Sequence, residues 1–236
     1  MDRFADTLPA FLTGTDLAAL VIFLVCSLAL TRIIEHPSPQ RPSTVQLMAE
    51  YRLQWMQEIP KRETRVVDAS LLGSLRNGAA FFASGAIVAI GGIFAALGQA
   101  ERIVNVASDI TTEIELRSEV WELKLLFLLL LAVNAFLRFV WSHRLFGYCS
   151  VLVGAMPEDG DVEKTRIAVE RAASINVSAE RSFNRGIRGL YFAIAALAWL
   201  FGPVALIVAT LATAAMIYRR EFLSDSRKAL LVGRKP

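Results

Sequence analysis

Lys124, Asn134 and Arg138 interrupt the most apolar stretch of the chain, Glu119 to Arg144 (EVWELKLLFLLLLAVNAFLRFVWSHR). Val120 to Leu137 is long enough to cross the hydrocarbon layer, which takes roughly 20 helical residues. A charge at that depth costs about 2.5–3.5 kcal/mol on insertion scales, so it turns towards protein or water. At ~100° per residue, Asn134 lies ~80° and Arg138 ~40° from Lys124, so all three share one helix face. Trp141 falls on the edge of that face and Glu122 points the opposite way. Two readings follow. The stripe can line or gate a path for a small anion. Alternatively, the two cations, ~21 Å apart along the axis, snorkel to opposite headgroup layers, and Asn134 finds its partner on a neighbouring helix.

A second set of polar residues belongs to the inner membrane boundary: Arg65, Asp68, Arg76, Arg144, Arg185 and Arg188, with Asn77 and Asn184 among them. Clustered arginines lower the cost of bringing an anion to a low-dielectric mouth, which describes a vestibule. The same residues suit anionic headgroup contact and Arg–Asp pairing, with Arg65 and Asp68 three apart on one helix. Other chemistry finds little footing. No serine–histidine–carboxylate arrangement is visible, and His36 and His143 sit at membrane boundaries. Two histidines and two cysteines, far apart, make no metal-ligand cluster. Glu158-Asp159-Gly160-Asp161 reads as a turn and helix start, not a cation site. Asn176-Val177-Ser178 matches a glycosylation acceptor, a motif short enough to arise by chance. The expectation is a non-enzyme without cofactor or metal, and not a nucleic-acid binder, because arginine placement follows the membrane boundaries.

The elements that must carry these residues are helical. With 55% hydrophobic residues and a mean hydropathy of +0.47, the 236-residue chain is too apolar for an ordinary soluble domain. The fold class is all-α: a polytopic transmembrane helical bundle with amphipathic cytoplasmic helices. Asp16 to Ile34 is the first span, started by Thr13-Gly14-Thr15-Asp16. The residues before it lack a basic n-region and a cleavage pattern, so this span is expected to be retained. Ser43 to Ile59 is amphipathic, with a Ser43–Gln46 capping box and Met48, Tyr51, Trp55 and Ile59 on its apolar face. Packing against other helices suits it better than lying on the bilayer, since Glu50 and Glu58 dilute its positive charge. Glu63 to Gly98 contains no proline and reads as one helix, polar first and then a span. There Ala80, Ser84, Gly92 and Ala96 form a small-residue face that another helix can approach. The central span can continue through Arg144 as far as Met156. Val162 to Asn176 is amphipathic, with Val162, Ile167, Val169 and Ala172/Ala173 inward. Gly189 to Tyr218, ~45 Å of helix, is too long for one crossing and breaks at Gly202-Pro203.

Lysine and arginine counts support that break. The segments 1–15, 99–118 and the 202–203 turn hold three, whereas 31–77, 144–188 and 219–236 hold twenty. Basic segments stay cytoplasmic. This predicts a membrane domain over 1–222 with segments 16–34, 78–98, 120–142, 189–202 and 203–218, cytoplasmic helices 43–59, 63–77 and 162–176, and a basic cytoplasmic tail, 223–236. The N-terminus lies outside and the C-terminus in the cytoplasm of a cell membrane. Whether 189–218 crosses twice or is re-entrant stays open.

The phrases RETRVVDASLLGSLRNGAAFFAS, VWELKLLFLLLLAVNAFLRFVW, FGYCSVLVGAMP and RSFNRGIRGLYFAIAALAWLFGP, followed by YRREF, resemble the domain of unknown function 599 family of integral membrane proteins. The resemblance covers about residues 10–222. It implies a multi-pass membrane protein and carries over no activity and no site residues. Two functions therefore stand side by side: an oligomeric channel or transporter for a small anion, and a non-catalytic membrane scaffold or accessory subunit. The partners expected are the lipid bilayer, further copies of the chain, and another membrane protein.

Overall fold

The computed structural model describes residues 12–99, 118–157 and 161–233, and among these the chain is helical with no strand. The elements are α1 (Gly14–Glu35), α2 (Thr44–Glu58), α3 (Val66–Leu97), α4 (Ser118–Gly154), α5 (Val162–Ala196), α6 (Pro203–Phe222) and α7 (Asp225–Leu230), with 3-10 turns at Ile59–Lys61 and Leu197–Phe201. Four stretches are long and apolar enough to cross a membrane: Gly14–Glu35, Val66–Leu97, Glu119–Gly154 and Pro203–Leu230.

Local sequence sets most helix ends. The Thr13 side chain accepts the Asp16 amide, and Asp16 reciprocates to the Thr13 amide, which starts α1. Asp161 caps α5 by accepting the Lys164 amide. Gly202 adopts φ +117°, a backbone conformation that L residues rarely take, and Pro203 then starts α6 at a position where its missing N–H costs nothing. Ser43 caps α2 by accepting the Gln46 amide, but the box is only half made. The Ser43 hydroxyl donates instead to the Ile34 carbonyl, tying α2 to the end of α1, and Gln46 Oε1 is buried without a partner among the described residues.

Three corrections to the expected elements share a cause. Segment 162–176 is not a separate helix: α5 runs unbroken to Ala196, ~52 Å long at 1.5 Å per residue. The polar residues between its two halves do not break it, because they are bound by side chains of other helices. The buried face of α2 holds Leu47, Arg52 and Met56, while Met48 and Tyr51 are exposed. The helix is turned because Arg52 points inward. The tail is not featureless: α7 forms beyond α6, Arg227 Nε donates to the Pro42 carbonyl at 2.9 Å, and Tyr51 donates to the Leu230 carbonyl at 3.3 Å.

Helix α4 is the centre, with α3 on one side and α5 antiparallel on the other, while α1 and α6 pack together beyond α5. The α4–α5 register runs from Lys124 beside Trp199, through Ala135 beside Gly189, to Ser142, whose hydroxyl donates to the Ala179 carbonyl, and Cys149 beside Ala172. Midway the two helices nearly touch. A Cβ on Gly186 would lie 2.7 Å from the Phe139 ring, which is itself held by Phe82 and Phe183. Above this contact a core of Phe23, Phe192, Trp199 and Leu206 joins α1, α4, α5 and α6; below it Met56, Leu72, Phe146 and Val169 join α2, α3, α4 and α5.

Candidate functional site

Two polar clusters bracket the upper core. At one end the Asp16 carboxylate accepts from the Thr13 hydroxyl at 2.6 Å and from Trp199 Nε1 at 2.7 Å. The Lys124 ammonium lies 5.7 Å from the centre of the Trp199 ring and attracts Asp16. Asp16, Lys124 and Trp199 are all buried. Lys124 therefore neither snorkels nor faces an open path: the ring's negative face and a carboxylate hold it inside the protein.

At the other end Glu35, the last residue of α1, receives both Arg185 and Arg188. Arg185 Nε donates at 2.7 Å with a second bond from its Nη2, and Arg188 Nη2 donates at 2.5 Å. Glu35 and Arg188 are almost fully enclosed, so the pair is buried and must be satisfied internally. Glu221 of α6 adds a carboxylate attracted to Arg188, and it accepts the Val45 amide at 3.2 Å, while the Glu221 carbonyl accepts from the Thr44 hydroxyl at 3.0 Å. Four helices meet here.

The remaining residues of the expected vestibule have separate tasks. Arg65 donates to the Val153 and Met156 carbonyls and closes the C-terminal end of α4. Asp68 is buried, accepts from Trp55 Nε1 at 2.7 Å, and pairs with Arg62. Arg76 and His143 bind each other: His143 Nδ1 donates to the Arg76 carbonyl, leaving Nε2 to accept from Arg76 Nε. Arg144 is exposed and covers Tyr148, one turn along α4. The structure thus distributes Arg65, Asp68, Arg76, Arg144, Arg185 and Arg188 over several local contacts instead of gathering them round one mouth. The central stripe divides as well. Asn134 is exposed on the outer face of α4, in line with Leu130 and Leu137, whereas Lys124 is inside. Arg138 is half-buried and, among the described residues, its guanidinium has no hydrogen-bond or ion-pair partner; its carbonyl accepts from Ser182.

Several residues that matter were not singled out from sequence. From sequence Asp16 is only part of a helix start, and Glu35 lies just beyond the first apolar span. Arg52 is buried and donates to Asn176 at 2.7 Å and pairs with Glu180. Asn176 is buried and donates in turn to Cys149 Sγ, so its amide is closed to modification in the fold. Charge inside an otherwise apolar helix end was the available signal. Among the described residues no group of three or more His, Cys, Asp or Glu side chains could hold a metal ion.

Residues 18–226 match the family model described as "Protein of unknown function, DUF599", and the chain belongs to that family. The match runs past Phe222, so the start of the tail is part of the shared pattern. No curated protein and no solved structure matches the chain.

Proposed function

We propose that this member of the DUF599 family is a multi-pass cell-membrane protein, N-terminus outside and C-terminus cytoplasmic, that serves as a non-catalytic scaffold or accessory subunit and docks through α3. The observation that carries the reading is the bareness of that helix. Only 6% of the apolar window of α3 is buried within the chain, against 22% for α1 and 33% for α4. At Gly78, Gly85, Gly91 and Gly92 an added Cβ would meet nothing within 4 Å. In the small-residue face, Ser84 and Gly92 are exposed and Ala80 and Ala96 half-exposed. Small residues let transmembrane helices approach closely, where packing and not the hydrophobic effect drives association. The occupied state of Lys124, Arg185 and Arg188 favours a holding role over a conduit through the single chain.

Topology is supported by two observations. Twenty of the lysines and arginines fall in the three segments assigned to the cytoplasm. The end of α5 and α6 also run between the same polar levels as α1: Trp199 meets Asp16 at one, and Arg188 and Glu221 meet Glu35 and Val45 at the other. Two full crossings fit this geometry better than a re-entrant hairpin.

The test is cysteine cross-linking in native membranes, with Gly85→Cys and Gly92→Cys made in a Cys26→Ser background. A cross-linked band of one defined mass is expected, and its mass separates a second copy from a different partner. Uncrosslinked monomer at both positions would end the proposal.

Asn134 and Arg138 favour a second reading. An exposed amide and a guanidinium without a partner among the described residues, one turn apart, suit an anion path formed between subunits. Anion flux into proteoliposomes that falls in Arg138→Ala would support it; flux at the protein-free level would remove it.

A further inference from the structure

The last turns of α6 and the start of α7 enclose an open-sided cavity of about 590 Å³, lined by Ala215, Met216, Leu223, Arg219, Arg220 and Asp225 among others. Its size falls in the ~300–1,000 Å³ range of small-ligand pockets. At ~100° per residue, the five lining residues of 215–223 share one face of α6, and Glu221 points ~170° away from the middle of that face. Glu221 is occupied there by the Val45 amide. Arg219 and Arg220 are both exposed. Arg220 Nη1 donates to the Tyr191 hydroxyl at 2.8 Å, and its guanidinium stands 5.6 Å from the centre of the Tyr191 ring. That contact positions Arg220 and leaves its other donors uncommitted. Arg219 has no hydrogen-bond or ion-pair partner among the described residues. Neither guanidinium is used to close the helix, because the Leu223 amide donates to the Arg219 carbonyl. The carboxylate of the lining, Asp225, is already bound by Lys228 at 2.7 Å. Arg219, Arg220 and Lys228 thus oppose Asp225, an excess of two positive charges. The other wall is apolar. Above it Val208 and Ala212, on the same face and exposed, continue towards the middle of α6.

We propose that this cavity binds the headgroup of an anionic phospholipid, with an acyl chain lying along Ala215, Ala212 and Val208. Arg219 and the spare donors of Arg220 donate to the phosphate oxygens. Arginine suits the role because its planar donors match phosphate oxygens and its charge is permanent. The place suits it too. Arg219 lies ~24 Å along α6 from Pro203, close to the depth of the hydrocarbon layer. The next residues but one reach the polar level where Glu221 and Glu35 flank Arg188. Two features divide the selection. The apolar wall favours a lipid over free phosphate, and the excess charge favours an anionic headgroup over a zwitterionic one. A basic segment draws anionic lipid by charge alone, whereas the cavity gives one lipid a fixed position. The inference rests on α6 crossing the membrane and not on α3, which lines no part of the cavity, so its failure would leave the docking proposal untouched.

The test uses the full chain purified in detergent, with Arg219→Gln as the main variant and Arg144→Gln as the control. Arg219 makes no hydrogen bond through its side chain among the described residues, so the variant is expected to fold, and its thermal unfolding checks this. Arg144 is an exposed arginine on α4, outside the cavity. Equal amounts of phosphatidylglycerol and phosphatidylcholine are added, and native mass spectrometry counts the lipid retained per chain. The parent is expected to keep one phosphatidylglycerol in preference to phosphatidylcholine. Arg219→Gln should weaken that binding about fivefold, the effect of one cation at a lipid surface, and Arg144→Gln should leave it unchanged. Equal losses in the two variants would mean a diffuse basic belt and would overturn the proposal. Equal retention of the two lipids by the parent would do the same, since no headgroup is then selected. Displacement of bound phosphatidylglycerol by excess inorganic phosphate would assign the anion alone and end the lipid reading.

Discussion

Leu72 and Phe81 belong to the same helix, yet Leu72 is fully buried and Phe81 is 73% exposed. The contrast runs through the whole molecule. In the lower half Met56, Leu72, Phe146 and Val169 make an apolar core, and charged residues such as Glu163, Arg166 and Glu170 pair on the surface beside the exposed Val66, Val67 and Val162. In the upper half large apolar side chains also cover the outside, among them Leu28, Phe81, Val88 and Leu130, and the inside holds Asp16, Lys124 and Thr210. Solvent dictates both arrangements. Water drives the lower apolar residues together, whereas lipid is indifferent to leucine and penalises unpaired charge. A buried polar residue of the upper half, such as Asp16 or Lys124, is therefore a packing residue.

Substitutions can break this contrast. Glu35→Gln should cost most, about 3–5 kcal/mol, because Arg188 is left charged in an enclosed site. Unfolding in detergent followed by circular dichroism would measure it, and the double variant Glu35→Gln/Arg188→Met should recover much of the loss. Leu72→Ala should cost about 2–5 kcal/mol through the cavity it opens in the lower core. Gly186→Ala should cost about 1–3 kcal/mol, since the new methyl meets a Phe139 ring that Phe82 and Phe183 keep in place. Trp199→Phe leaves Asp16 without its indole donor and should cost about 1–2 kcal/mol, while Asp16→Asn, which removes the carboxylate that attracts the buried Lys124, should cost more. Phe81→Ala should change stability in micelles by no more than about 0.5 kcal/mol. A larger loss for Phe81→Ala than for Leu72→Ala would reverse the account of the two halves.

Sequence revealed the parts governed by neighbouring residues. Thr13 and Asp16 start α1, the proline-free stretch becomes α3, and Gly202-Pro203 divides α5 from α6. It did not reveal contacts closed over long separations. Asp16 and Trp199 are 183 residues apart, and Glu35 and Arg188 are 153 apart. Hydropathy treats Arg52 as a surface residue, so the apolar face expected of α2 is turned slightly from the buried one. Angular spacing puts Lys124, Asn134 and Arg138 on one side of α4, but the boundary between buried and exposed passes through that side. The ~80° between Lys124 and Asn134 is enough to put one inside and the other outside.

The continuity of α5 has a mechanical meaning. Its lower part is gripped by α2 through Asn176 and Glu180, its middle is pinched against Phe139, and its far end leads into the turn that carries Trp199 to Asp16. A helix without a break resists twist and compression. The contacts of α2 with Asn176 and of Trp199 with Asp16 are thus joined by ~34 Å of continuous chain rise. A change that loosens either end therefore acts on the same rigid rod.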